Sequence, residues 1–348
     1  MSTTTTNVRP HEQVAAEPGV AGTGSLFRAE LHRFRARRFI QLLLALSVLA
    51  FLAGTVVAYT QHSKPTPAIL AEARAEMQEQ MRMAEESRQQ CLQDESIPEA
   101  EREMACGPPP SEQGMELEWF LDKRAFVLAE NIATGVVAGS VVTAALLFVI
   151  GATFIGAEWS TRSIVALLFW QPRRLKVLAV KAAVTALVAT VLAVAAQAAW
   201  TAAAMLLAKL RGTTDVPKEF WSNVLEAQGR GVLLVVLFAP LGLGMANLLR
   251  NTGAALGVAF AYLIIVENAV RSLYPKGAQY LLTENAIALV QSRGHRIFVD
   301  DSYVDRQGNF VDGREIVLSN LHGGLVLAAV TAAVLALGTY LFRRRDLQ

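Results

Sequence analysis

Phe39 to Tyr59 reads FIQLLLALSVLAFLAGTVVAY, an apolar run with no charge in it. As α-helix a run of this length crosses the hydrocarbon of a bilayer, which takes about 20 residues rising 1.5 Å each. A helix on a soluble domain would show a polar stripe every turn, and this one shows none. Similar runs recur at about 132–157, 177–207, 232–249, 253–270 and 321–342. The 348 residues are 53% hydrophobic and only 18% charged, against about a quarter charged in a soluble domain, and the mean hydropathy is +0.35. The expected fold is an all-α polytopic membrane protein with six transmembrane helices. The first run is too long for a signal-peptide core and no small-residue cleavage pattern follows it, so it reads as a retained span.

Outward from that run, residues 1–24 are polar and rich in Gly and Thr, and read as a disordered cytoplasmic tail. Residues 25–38, SLFRAELHRFRARR, place Phe27, Leu31 and Phe34 on one helical face, with Arg28, Arg33, Arg35, Arg37 and Arg38 filling most of the rest. Ser25 is the expected N-cap. This is an amphipathic elbow helix lying on the headgroups of the membrane; the plainer alternative is a charged flank that only sets orientation. Lys181, near the start of the third run, is expected to snorkel back to the interface. Gly135, Ala138, Gly139 and Ser140 would let the second span pack closely, and Pro240, Gly242 and Gly244 would kink the fourth.

Two long polar segments separate the spans, 60–124 and 274–320. In the first, Thr66-Pro67 fits an N-cap followed by proline at the first helical position, and Leu70, Ala73, Met77, Met81 and Ala84 form a helical stripe. A second short helix is expected from Pro98 to Ala105. Cys91 and Cys106, the two cysteines of the chain, both fall here. Their confinement to one loop points to a disulfide in an oxidising compartment, with roughly 3 kcal/mol from closing a loop of about 15 residues. In the second segment, Arg296–Val299 and Glu315–Leu318 flank a turn-rich stretch and suggest a small β-hairpin.

Six spans put both termini on one side. That side carries 15 Lys and Arg against five acids, the other 17 against 25. The positive-inside rule weighs short loops and span flanks and discounts long translocated segments. It therefore places both termini in the cytoplasm and the two long segments outside, in a plasma-membrane protein.

Chemistry-bearing motifs are sparse. The chain has no G-x-x-x-x-G-K-[ST] phosphate cradle. Its five histidines are scattered, and its cysteines lack zinc-ligand spacing, so no catalytic or metal site is expected. Asp300, Asp301, Asp305 and Asp312 fit no calcium loop and read as a solvated loop. Glu267, at the outer end of the fifth span, is a functional candidate by position, yet Arg271 one turn on offers a structural ion pair. Gln197 and Asn247 read as interhelical hydrogen bonds, with a substrate path as the alternative.

Between the second and third spans lies Gly156–Lys181, GAEWSTRSIVALLFWQPRRLKVLAVK. With LGLGMANLLRNTGAALG, ENAVRSLYP and the terminal LFRRRDL, it resembles the permease subunits of ABC exporters of the type-two (type V exporter-like) class, as in actinobacterial drug and antibiotic export systems. The resemblance covers about 25–348. It implies that a polar segment opening at Glu158, followed by a turn, an apolar helix, Pro172, Arg173, Arg174 and a lysine, docks a separate ATPase. On that reading Ile164, Leu167 and Leu168 are apolar anchors with Phe169 and Trp170 nearby, Trp159 flanks them, and Arg173, Arg174 and Lys176 pair with acidic rims or headgroups. The family usually has glycine where this chain has Arg162. Also implied are a second permease copy or paralogue, contact with membrane lipids, and no nucleic acid. No cofactor is expected in this chain, ATP and Mg2+ being held by the ATPase. The competing readings are a membrane-embedded enzyme of lipid or cell-wall chemistry and a regulatory membrane partner of an ATPase.

Overall fold

In a computed structural model of the chain, residues 22–111, 116–299, 303–304, 310–311 and 313–344 are described. Among them, six helices are long and apolar enough to cross a membrane. The N-terminal helix α1 (Thr23–Ala36) precedes the first span, α2 (Arg38–Gln61), with a break at Arg37. Gly22, not Ser25, occupies the N-cap, and the Ser25 hydroxyl donates back to the Gly22 carbonyl at 2.8 Å.

Beyond α2 comes α3 (Pro67–Gln93), which starts as expected: Thr66 accepts the Ile69 N–H, and proline takes the first turn, where no N–H is needed. Its stripe buries Ala73 and Met77, and it packs on the one-turn segment Leu117–Phe120. The short α4 (Arg102–Ala105) follows a 3-10 turn at Glu99–Glu101. The Cys91–Cys106 disulfide, with Cα atoms 5.7 Å apart, ties the end of α3 to it.

The second span is α5 (Leu128–Ser160), after the two-residue strand β1 (Phe126–Val127). Then come α6 (Ser163–Trp170), the third span α7 (Arg174–Arg211) and the strand β2 (Gly212–Thr213), which pairs in parallel with β1. The fourth span is α8 (Phe220–Leu249). The fifth comprises α9 (Thr252–Ala261), a π-helical turn at Tyr262–Val266 and α10 (Glu267–Leu273). The segment after it holds α11 (Leu282–Val290), the strands β3 (His295–Phe298), β4 (Tyr303–Val304), β5 (Phe310–Val311) and β6 (Glu315–Leu318), and finally the sixth span α12 (Asn320–Arg344).

α5, α7 and α8 form the inner bundle, with α12 against α8. The closest crossing is between α5 and α8. A Cβ at Gly151 would come within 2.1 Å of the Ala239 carbonyl oxygen, and one at Gly242 within 2.1 Å of that of Phe148. Only hydrogen fits at either place, and backbones this close gain the dispersion contacts that hold helices together in lipid. Of the small residues expected to mediate packing of the second span, Ser140 is buried and Gly135 meets the Trp200 ring, but Ala138 is exposed and Gly139 meets nothing. By contrast α2 buries Ile40 alone and the fifth span is largely uncovered.

The expected pairing of residues near 296–299 with 315–318 is present as β3 antiparallel to β6, His295 opposite Leu318. The segment also holds α11, which hydropathy did not single out. Ala286, Ala288, Leu289 and Val290 are buried as α11 packs on α12, α8 and α5. Asn320 caps its C-terminus, its amide donating to the carbonyls of Ala288 at 2.8 Å and Gln291 at 2.7 Å. The tail before residue 22 and Asp300, Asp301, Asp305 and Asp312 lie outside the described residues.

Candidate functional site

The ends of α5, α8 and α12 meet the starts of α7 and α9 on one face, together with α1. Gly156 abuts Thr252 there, and the Arg174 guanidinium donates to the Phe342 carbonyl at 3.0 Å. This is the terminal face. At its centre lies a buried charge cluster. Lys181 is fully buried, and its Nζ donates to Glu30 at 2.5 Å and to Glu158 at 2.9 Å. The Arg37 guanidinium donates to Glu158 at 2.9 Å and to the Thr153 carbonyl at 3.1 Å. Arg33 reaches Glu30 at 3.0 Å from the solvent side. The Phe154 ring lies beneath both cations, 4.8 Å from Lys181 Nζ and 5.1 Å from the Arg37 guanidinium carbon, and Phe34 packs on it at 5.1 Å.

Local sequence produces this arrangement. On α1, Leu26, Glu30 and Phe34 recur at i, i+4 and i+8 and are its three buried residues. The inward stripe is therefore not Phe27, Leu31 and Phe34, although Phe27 and Leu31 pack at its edges. Glu158 stands in the last turn of α5 and Lys181 two turns into α7. Lys181 does not snorkel outward, because two carboxylates meet it inside and its desolvation is offset only where it is.

Three elements are thus joined at one ammonium group: the elbow, far away in sequence, and the end of the second span and the start of the third, which α6 separates. Taking two carboxylates and a lysine out of water is costly. Removing one partner of such a set leaves an uncompensated buried charge, typically a loss of about 3–5 kcal/mol.

Several residues expected to face a docking partner are turned inward. Glu158 is 5% exposed and held in the cluster. Trp159 donates from its indole N–H to Asn247 at 3.2 Å, packs edge-on against Phe342 and carries the Arg250 guanidinium on its face. Ile164 and Leu168 are buried on α5 and its neighbours, and Leu167 is partly covered. The outer face of α6 is instead Phe169 and Trp170, 84% and 81% exposed. The helix is eight residues long because Arg162 starts it and Pro172, which cannot continue it, follows its end at Gln171. Arg162 adopts φ +56°, the left-handed region where glycine is favoured. Arg173 and Pro172 are exposed, whereas Arg174 turns towards the end of α12; Lys176 is half-buried.

Within the spans, Gln197 donates to Ser140 at 2.7 Å, and Gln228 to Thr201 at 2.6 Å beside it. Asn247, besides accepting from Trp159, donates to the Gly338 carbonyl at 3.2 Å. Both expected interhelical bonds are present. At the opposite face, Glu267 and Arg271 pair at 3.0 Å. Arg271 continues to Glu284 of α11 at 2.7 Å, and His295 of β3 meets the other oxygen of Glu284 at 2.8 Å. Glu267 also accepts the Thr283 N–H at 3.1 Å and the Thr283 hydroxyl. Every oxygen of Glu267 is therefore engaged in holding α11 to the fifth span.

The residues not singled out beforehand are Glu30, Arg37 and Lys181 as a set, and Glu284 with His295. Glu30 carried a signal: it is an acid on the apolar stripe of a helix otherwise rich in arginine, flanked by Leu26 and Phe34 at helical spacing.

No curated protein and no solved structure matches the chain. A family model described as ABC-2 family transporter protein matches residues 26–347, from the elbow helix to the last turn of the sixth span and just beyond. With six long apolar helices in the structure and a family match over nearly its whole length, the chain belongs to the ABC-2 family, as a multi-pass membrane component of an ABC transporter.

Proposed function

We propose that the chain is the permease subunit of an ATP-driven exporter, moving a small molecule, drug or lipid-like substrate outward, with both termini in the cytoplasm. Two copies, or one copy and a paralogue, form the pathway. A separate ATPase subunit binds ATP and Mg2+ and docks on α6. The charge balance of the flanks supports the orientation. The observation that carries the docking reading is the pairing of a short, doubly exposed aromatic helix with the buried cluster behind it. Phe169 and Trp170 offer aromatic anchors of the kind enriched in interface cores. Glu158, one turn before α6, is fastened to Lys181 of α7 and through it to Glu30 of α1. A push on α6 would therefore move the second span, the third span and the elbow together.

The test is co-purification with an ABC ATPase subunit encoded in the same genome. The double variant Phe169→Ala/Trp170→Ala removes two exposed rings and is expected to keep its chromatographic profile while losing at least about tenfold in ATPase retention, the loss of one strong aromatic anchor or more. Retention equal to that of the unaltered chain would refute docking at α6. The enzyme reading is weaker, since Glu267, the buried acid it would use, is committed to Arg271 and Thr283.

A further inference from the structure

Two hollows flank Arg37 on the terminal face. One, of about 350 Å³, is lined by Arg33, Ala36, Arg37, Glu158 and Ser163, and the carboxylate in its wall disfavours an anion. The other, of about 310 Å³, is lined by Arg37, Arg38, Phe39, Ile40, Thr153, Ala157 and Thr161, with no acid among them. Arg38 is exposed and makes no ion pair with a described residue. The surrounding elbow holds five arginines and a single acid, Glu30, which is buried against Lys181 and Arg33 and does not reach Arg38.

This second hollow sits where α2 begins, at the boundary between polar flank and apolar span. From it an uncovered stripe runs along α2: Phe39, Leu42, Leu46 and Leu49, at i, i+3, i+7 and i+10, are each more than half exposed. A cationic, acid-free rim above an apolar floor that continues into an uncovered apolar stripe is complementary to one class of molecule. We propose that this hollow is a discrete binding site for an anionic glycerophospholipid, its phosphate on Arg38 and one acyl chain along the stripe of α2. The site goes beyond ATPase docking and does not depend on it. A guanidinium supplies the planar, charge-assisted donors that phosphate oxygens accept best, and each arginine near an anionic headgroup contributes about 1 kcal/mol, or roughly fivefold.

The full chain is reconstituted in discs of equimolar phosphatidylglycerol and phosphatidylcholine, released into detergent, and its retained lipid quantified by mass spectrometry. The unaltered chain is expected to retain phosphatidylglycerol over phosphatidylcholine by roughly fivefold or more. Arg38→Gln removes the phosphate contact, and Ala157→Phe fills the floor without changing charge; each is expected to abolish the preference. Arg38→Lys is expected to keep most of it, and Arg28→Gln, which removes an exposed elbow charge outside the hollow, all of it. An equal fall in Arg28→Gln and Arg38→Gln would reduce the effect to diffuse surface charge and overturn the proposal. So would a preference unchanged in Ala157→Phe, which would mean that a second copy or another element covers the stripe. Thermal stabilisation by inorganic phosphate alone, matching that by phosphatidylglycerol, would assign the hollow to a soluble anion instead and equally overturn the lipid site.

Discussion

The two faces of the molecule solve the same problem, fixing a peripheral element to the helical bundle with charge, and solve it differently. On the terminal face, Glu30, Glu158 and Lys181 are almost wholly removed from solvent, and Glu30 lies 151 residues before the lysine it meets. On the opposite face, Glu267, Arg271, Glu284 and His295 lie within one short stretch of chain, and Arg271 and His295 remain 38% and 24% exposed. Water can stand in for a lost partner in the second cluster and cannot in the first. The elbow joint is therefore the stiffer and less tolerant of the two. The attachment of α11 and the hairpin to the fifth span is adjustable.

The sharpest way to break the contrast is Lys181→Met, which keeps the length of the side chain and removes its charge. It takes the ammonium away from two buried carboxylates, leaving Glu30 with Arg33 and Glu158 with Arg37, and the expected loss is about 3–5 kcal/mol, read as a fall in thermal midpoint of the purified protein in detergent. Adding Glu30→Gln should recover part of that loss, since Glu158 would still have Arg37 at 2.9 Å; no recovery would mean the cluster does not act as a unit. Next in size is the disulfide. Replacing Cys91 and Cys106 with serine should lower stability by about 3 kcal/mol, with faster proteolysis confined to the α3–α4 segment and no effect on the terminal face.

Arg271→Gln, the counterpart of the lysine substitution on the opposite face, is expected to cost about 1–2 kcal/mol, because Glu267 retains the Thr283 N–H and hydroxyl. A loss as large as that from Lys181→Met would erase the distinction between the faces. The smallest effect is a gain. Arg162→Gly relieves a left-handed residue of about 1 kcal/mol, and ATPase retention should be preserved or improved. A fall in retention would show that the Arg162 side chain itself touches the partner.

Much of this was legible beforehand, and for clear reasons. Spans announce themselves by length and hydropathy, since every backbone group in a bilayer must be satisfied within the helix. Thr66-Pro67 and the strand pair near 296 and 317 follow from capping and alternation, which are local. The polar break between the second and third spans, where docking is expected, is legible in the sequence, but the facing of its side chains is not: Glu158, Ile164 and Leu168 are buried and Trp159 is partly covered. The stripe of an eight-residue helix is too short to reveal which side the bundle will cover. The same limit hid α11, whose nine residues fall below the length at which a period separates from chance.

What the sequence determined alone is the number of spans, the segregation of charge, the loop that holds the cysteines and the absence of a phosphate-cradle motif. Each depends on composition or near-neighbour spacing. What only the tertiary structure decided is who pairs with whom: Lys181 with Glu30 and Glu158, Trp159 with Asn247, Gly151 with Ala239. These partners are brought together by the crossing of helices, which no local pattern encodes. The meaning of a charge in a membrane protein rests on that pairing, because a lysine in an apolar run can reach for the headgroups or stay inside, and only the presence of carboxylates within 3 Å selects the inside.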